Sequence, residues 1–304
     1  MTLLKPILYF SLFKYPLTEE EIYSFSDVSN KEQIKDSLDD LVSKEIIYKI
    51  GPFYLLENNK DLVDRRLKGN KMAAKIQKKA TKRARFISKF PHVEGVGISG
   101  SLSKGYYDDD GDIDFFIITK AKRLWVARTL LILYKKIFLL NSRKYFCVNY
   151  FISENALEIN ERNRFTATEL ATLIPMFGNG SFHRFYQEND WVKDMLPNKT
   201  PKQSLANLLP LQKPLTTKII EKIFASKLGD SLDAFFMRIT YKKWKAKFEA
   251  LALDQDHFNI AFKSTQNVSK HHPNDFQNKV INSLNEKYLE MQENHNITLS
   301  LEHA

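Results

Sequence analysis

The stretch Gly95–Thr119, G-V-G-I-S-G-S-L-S-K-G-Y-Y-D-D-D-G-D-I-D-F-F-I-I-T, constrains this chain more than any other. Val96 and Ile98 make Gly95–Ser99 a short, partly apolar strand, and Gly100-Ser101 follow at its end. A strand-to-helix junction opened by glycine lets backbone N–H groups and the Ser101 hydroxyl approach phosphate oxygens, aided by the positive end of the helix. Ser103 and Lys104, in the same turn, complete a candidate nucleotide-binding set with Gly100 and Ser101. Asp112-Ile113-Asp114 then runs into Phe115-Phe116-Ile117-Ile118. Residues two apart in a strand share a face, so Asp112 and Asp114 point together while Ile113, Phe115 and Ile117 turn inward. Adjacent carboxylates repel unless a cation lies between them. Mg²⁺, or Mn²⁺ in its place, suits such a pair because it takes one or two protein carboxylates and completes its shell with water and substrate phosphates.

Gly100-Ser101, ten residues, then Asp112-x-Asp114 between apolar strands resembles the signature of the nucleotidyltransferase superfamily to which DNA polymerase β belongs. The resemblance implies transfer of a nucleoside monophosphate from an NTP to an acceptor, with Asp112 and Asp114 as catalytic, metal-holding residues. The passage Trp191–Asn198 resembles a second block in bacterial proteins that carry this domain. The superfamily commonly places a third aspartate on a later strand, where it is proposed to take the proton from the attacking hydroxyl. In Y-F-C-V-N-Y-F-I the residue best placed is Asn149. Its carbonyl oxygen can serve a metal, but it has no useful basicity. Glu154 and Glu158, just beyond that strand, are the candidates to replace the missing base.

Net charge is +10, and its distribution matters more than its size. Lys60–Lys89 holds twelve Lys or Arg against two Asp, a surplus equal to that of the whole chain. A basic face beside an active site attracts triphosphate or RNA, whereas the plain alternative is a solvated helix face. The single cysteine, Cys147, excludes an internal disulfide framework and a cysteine-based zinc cluster, which fits a reducing cytoplasm. The start M-T-L-L-K-P-I-L-Y-F-S-L-F-K lacks a small-residue cleavage site, and Arg128, Lys135 and Lys136 interrupt the apolar run Leu124–Leu140. A cytoplasmic protein without a membrane span is therefore expected.

Along the chain, residues 1–58 show the order helix, helix, helix, hairpin of a winged helix-turn-helix module. Thr18-x-x-Glu21 is a capping box, Asn30 and Gln33 start a third helix, and Gly51-Pro52 turns the hairpin. Nine acidic and three basic residues between Thr18 and Glu45 argue against sequence-specific DNA binding, since DNA readers need Lys or Arg on phosphates. The module is expected to pack on the next domain or to meet a protein partner. Residues 59–90 form a basic linking helix with its stripe at Met72, Ile76, Ala80, Ala84 and Ile87. Residues 91–198 alternate strands and helices as an α/β nucleotidyltransferase core with a mixed sheet. A helix capped by Thr166-x-x-Glu169 follows Arg162 and Arg164, which are candidates to reach a phosphate, the plain alternative being surface arginines with no specific role.

Residues 199–304 read as a helical region. A Pro-rich stretch opens it, the basic-aromatic run Tyr241–Lys245 fits a core stripe better than an RNA platform, and His271-His272 makes a weak zinc pair. A frayed tail is expected from Asn294. Two functions follow: Mg²⁺-dependent nucleotidyl transfer to RNA, protein or a small molecule, or a nucleotide-binding sensor that acts through the N-terminal module.

Overall fold

Apolar periodicity and turn chemistry build the elements in chain order. The computed structural model describes residues 3–142, 144–199, 205, 208–249, 263–270 and 276–303. Helix α1 (Leu4–Ser11) precedes a two-residue strand β1 (Leu17–Thr18), α2 (Glu19–Ser24), α3 (Gln33–Ser43) and the hairpin β2 (Tyr48–Ile50) and β3 (Phe53–Leu55). The expected capping box is present: Glu21 N–H donates to Thr18 Oγ1, and Thr18 N–H donates to the Glu21 carboxylate. Gly51 turns the hairpin at φ +58°. The strand β1 pairs with β3 in the order β1-β3-β2; two residues are too few to leave a periodic trace in a sequence.

Helix α4 (Lys60–Ile87) follows, with Asn59 accepting from Asp61 N–H at its start. Its expected stripe holds: Ala80, Ala84 and Ile87 are fully buried, with Met72 and Ile76 packed beside them. Then come β4 (Val93–Ser99), the single turn α5 (Gly100–Ser103), β5 (Asp114–Thr119), α6 (Leu124–Phe138) and β6 (Cys147–Ser153). The chain continues through α7 (Arg164–Thr172), β7 (Ile174–Gly178), α8 (Ser181–Glu188), α9 (Val192–Met195), α10 (Leu215–Ile223) and α11 (Lys227–Glu249). Strand β8 (Val268–Lys270) and helix α12 (Phe276–His295) complete the described elements.

The core sheet has the order β7-β4-β5-β6-β8. β5 and β6 are parallel, as their crossover through α6 requires, and the other pairs are antiparallel. One face carries Ile98, Phe115 and Ile117 into a core with α4, α6 and the buried Trp244 of α11, so the basic-aromatic run gives Trp244 to the core while Tyr241 and its lysines stay exposed. The other face carries Phe116 and Ile118 into a core shared by α1, α7, α8 and α12. The C-terminal region, read as helical, also supplies the edge strand β8. His271, His272 and residues 200–204 and 206–207 of the Pro-rich stretch lie outside the described residues. Among the described residues no helix is long and apolar enough to cross a membrane.

The tail is not frayed, contrary to expectation. Ile297 and Leu299 are buried, and Glu302 exchanges backbone hydrogen bonds with the Asn285 side chain. Arg164 Nε donates to Glu302 Oε1 at 3.0 Å, and both side chains are buried. That pairing removes Arg164 from any phosphate role, while Arg162 pairs with Glu158.

Two stability predictions follow from these buried groups. Glu302→Ala leaves the Arg164 guanidinium buried without its carboxylate and is expected to cost about 3–5 kcal/mol in a urea melt; a change below about 1 kcal/mol would refute the pairing's importance. The His92 ring is buried with neither nitrogen partnered. Burial pushes its pKa from 6.5 down to about 4, Glu221 opposing and Arg123, Lys213 and Lys120 adding to the depression. Between those values the unfolded chain binds a proton that the folded one refuses, so stability falls as pH drops from 6.5 through 4. His92→Asn, which tolerates the local φ of +62°, should flatten that part of the pH–stability curve.

Candidate active site

The site begins with a register. β4 and β5 pair antiparallel with Ser99 opposite Asp114, so the chain leaving β4 at Gly100 arrives beside that carboxylate. Gly100 sits at φ +67°, and a Cβ there would lie 2.5 Å from Asp114 Oδ2. Glycine is required twice at one position, by conformation and by contact. The helix that follows is only one turn, so the expected macrodipole contributes little; what α5 offers is its free leading N–H groups.

Of the four expected nucleotide-binding residues, Gly100, Ser101 and Lys104 line one cavity of about 440 Å³. Ser103 does not: it is fully buried, and its hydroxyl donates to Gly100 O at 2.8 Å, locking the turn. Lys104 Nζ lies 2.6 Å from Glu169 Oε1 and 3.2 Å from Gly100 O.

Asp114 opens β5 and lines the cavity, while Asp112 stands two residues ahead of it, before the strand. Between them Ile113 is fully buried, its N–H donating to Lys144 O and its carbonyl accepting from Cys147 N–H. Burial pushes the Asp114 carboxyl up to about 6; a hydrogen bond from Cys147 opposes this, Asp112 and Glu169 add to it, and Lys104 opposes. Burial likewise pushes the Cys147 thiol up, with Asp114 contributing.

A bulge in the β5–β6 ladder decides what faces these carboxylates. Phe115 pairs with Val148 and Phe116 with Tyr150, leaving Asn149 as the extra residue. Asn149 and Tyr150 therefore both reach the cavity, where strict alternation would have turned one of them away. Asn149 Nδ2 donates to Asp114 Oδ1 at 3.2 Å, and the Tyr150 ring stacks on Phe116 with centroids 5.1 Å apart.

The substitutes proposed for a base are elsewhere. Glu154 pairs with Arg184, Glu158 pairs with Arg162, and neither lines the cavity. The carboxylates that do line it beside Asp114 are Glu161 and Glu169. Sequence reading missed Glu169 because it assigned that residue to a capping box. The N-cap is instead Asn163, whose side chain accepts from Thr166 N–H at 2.9 Å. Glu169 is thereby freed in mid-helix to meet Lys104. Glu161 lies 2.8 Å from Lys263; burial opposes its ionisation, but that ammonium outweighs burial and holds the carboxyl below its usual range. Nothing local in the sequence marks Glu161, since its role depends on where a distant strand edge places the cavity.

The donor set fits a small hard cation. Asp114 bears a burial-raised pKa that a divalent ion would relieve, and Lys104, the cation that partly offsets it, is already paired with Glu169. Among the described residues no group of three or more His, Cys, Asp or Glu is arranged to hold a metal. Of the expected aspartate pair only Asp114 lines the cavity; Asp112, two residues ahead, does not, and so sparse a donor set corresponds to an ion that shares its shell with phosphate and water, not to an all-protein cage. Helix α4 contributes no residue to the cavity lining, so its basic face is not part of this site.

Residues 78–169, from the second half of α4 to Glu169, match the family model of a nucleotidyltransferase domain. No curated protein and no solved structure matches the chain.

Gly100→Ala tests the geometry. It should cost about 1–2 kcal/mol in backbone strain alone and also displace Asp114, so a urea melt and a nucleotide-binding assay should both register the loss. An unperturbed melt would mean that the close approach to Asp114 is not tight.

Proposed function

We propose that residues 78–169, a domain of the nucleotidyltransferase superfamily, transfer a nucleoside monophosphate from an NTP to an acceptor hydroxyl. The observation that carries this reading is the meeting of Gly100-Ser101 with Asp114 on neighbouring antiparallel strands at one cavity. In the proposed reaction the acceptor oxygen bonds to the α-phosphorus, the bond from that phosphorus to the bridging oxygen breaks, and pyrophosphate leaves. Gly100 N–H, Ser101 N–H and the Ser101 hydroxyl hold the β and γ phosphates. Asp112 and Asp114, with the Asn149 amide oxygen available after a flip of that side chain, would hold Mg²⁺ or Mn²⁺, which supplies charge neutralisation at the transferring phosphoryl group. Asn149 has no basicity to take the hydroxyl proton, so the chemistry relies on positioning and electrostatic stabilisation.

A second reading rests on that same residue. With a neutral amide donating to Asp114 where an aspartate is expected, the chain would bind nucleotide without consuming it. The output would then pass through the N-terminal module. Its order of three helices and a hairpin supports a winged-helix-like description, and its acidic surface favours a protein contact over sequence-specific DNA. The module is closely joined to the core, since Phe10, Phe13 and Tyr15 line the cavity. A lone buried Cys147 suits the cytoplasm as the place of action.

Incubation with each α-labelled NTP, Mg²⁺ and cell extract separates the two readings. Wild type should move label to an acceptor, and Asp112→Asn or Asp114→Asn should reduce transfer by at least about a thousandfold while the urea melt keeps its cooperativity. Near-normal turnover in Asp114→Asn would sink the transferase assignment. Metal-dependent nucleotide binding with no label moved would establish the sensor.

A further inference from the structure

The sheet order fixes which end of the cavity receives which reactant. Gly100-Ser101 follow β4, Asp114 opens the neighbouring β5, Asn149 and Tyr150 lie on β6, and Lys270 ends the edge strand β8. Displacement at phosphorus puts the attacking and leaving oxygens roughly in line. With the leaving phosphates at Gly100-Ser101, the acceptor enters from the β6–β8 side of Asp114.

That end is walled by aromatic rings, with Glu161 and Lys270 also in the lining, is roofed, and carries a buried donor unanswered among the described residues. Phe276 at the start of α12 packs on Phe13 and Phe165 with ring centroids 6.2 Å and 5.9 Å apart, and all three line the cavity. Gln277, the next residue, is 4% exposed and lines it too. Lys270 Nζ donates to Gln277 Oε1 at 2.8 Å. An ammonium only donates, so this contact fixes the amide's orientation and leaves Nε2 as the group pointing elsewhere. Among the described residues Gln277 Nε2 is buried and has no hydrogen-bond partner. A buried donor without an acceptor is destabilising unless a ligand answers it.

We propose that this end of the cavity binds a small ring-bearing acceptor. Its flat apolar body lies among Phe13, Tyr150, Phe165 and Phe276, an oxygen of the ligand accepts from Gln277 Nε2, and its hydroxyl faces Asp114. The roof made by α1 and α12 and the volume of about 440 Å³ suit one such molecule and leave no room for a folded protein or an RNA strand. Only the word acceptor rests on the transferase reading; the ring-and-oxygen subsite stands on the cavity itself.

The test uses the full chain and two probes of like shape, 4-hydroxyacetophenone and 4-ethylphenol, which differ in the carbonyl. Ligand-observed NMR titration should find the ketone bound about tenfold more tightly by wild type, the value of one good hydrogen bond. Gln277→Leu and Gln277→Glu should each remove that preference. The glutamate variant keeps an oxygen for Lys270 but has no donor, so it serves if the leucine variant misfolds. Failure to bind either probe, equal affinity in wild type, or a preference that survives in a folded variant would overturn the proposal. A separate incubation with α-labelled NTPs and size-fractionated extract should label the small-molecule fraction; label in RNA or protein would overturn a small acceptor. Probe discrimination as expected, with no transfer from any NTP, would reject the transferase reading and support the subsite as a ligand site.

Discussion

The pairing of Ser99 with Asp114 is the constraint on which the site depends. It brings two chemically opposite features together, a turn with free backbone N–H groups and a carboxylate pair that repels itself. Neither is of use alone. An anion-binding turn without a cation leaves a phosphate chain's charge largely uncompensated, and burial, with the nearby Asp112 adding to it, raises the pKa of Asp114. Held side by side, they would divide a triphosphate and its metal between them in the proposed reaction. The tightness of that approach is why position 100 tolerates no side chain: a Cβ would meet the Asp114 carboxylate before any substrate did.

A cavity exists over this register because the termini close the sheet's second face. α4 and α6 cover the face of Phe115 and Ile117, and a single domain could leave the opposite face open. Here α1 and α12 pack over it with α7 and α8. Two ion pairs hold the closure in place. Arg66 on α4 reaches Glu21 with both ends of its fork, at 2.7 and 2.9 Å, while lying over the rings of Tyr15 and Phe53. Arg164 on α7 reaches Glu302 in the C-terminal tail. The Arg164–Glu302 pair is buried on both sides, and a pair of that kind adds little net stability over apolar packing, yet breaking it is costly. The effect of the two pairs is to permit one arrangement of the segments and penalise others, and that arrangement sets the cavity's volume.

Legibility in the sequence followed how local each feature's cause was. The stripe of α4, the capping box at Thr18 and the placement of Gly100 near Asp114 arise within short windows, and periodicity or spacing exposed them. Features caused by pairing between distant segments were invisible. The strand β8 is three residues long and exists because β6 offers an edge. The buried tail looked polar and terminal, though Glu302 has a partner 138 residues away. Glu169 shows a subtler failure, since a correct local rule pointed to the wrong cap. Asn163 won the N-cap because its side-chain oxygen reaches Thr166 N–H from an extended backbone, and the glutamate was released into the site.

The bulge at Asn149 links these points to the chemistry. An insertion into a parallel ladder costs a pairing, and such irregularities persist where they aim a side chain. This one turns two consecutive residues to the same cavity: an amide on Asp114, and a ring that stacks on Phe116. A strand in strict register would have offered either a polar group for the carboxylate or an aromatic wall for the pocket. The bulge supplies both, so the same distortion that places a neutral amide where an aspartate is expected also builds the apolar end of the cavity. A neutral amide and an aromatic wall therefore have one structural cause, and in the proposed reading such a site would hold an acceptor by its body more than activate its hydroxyl.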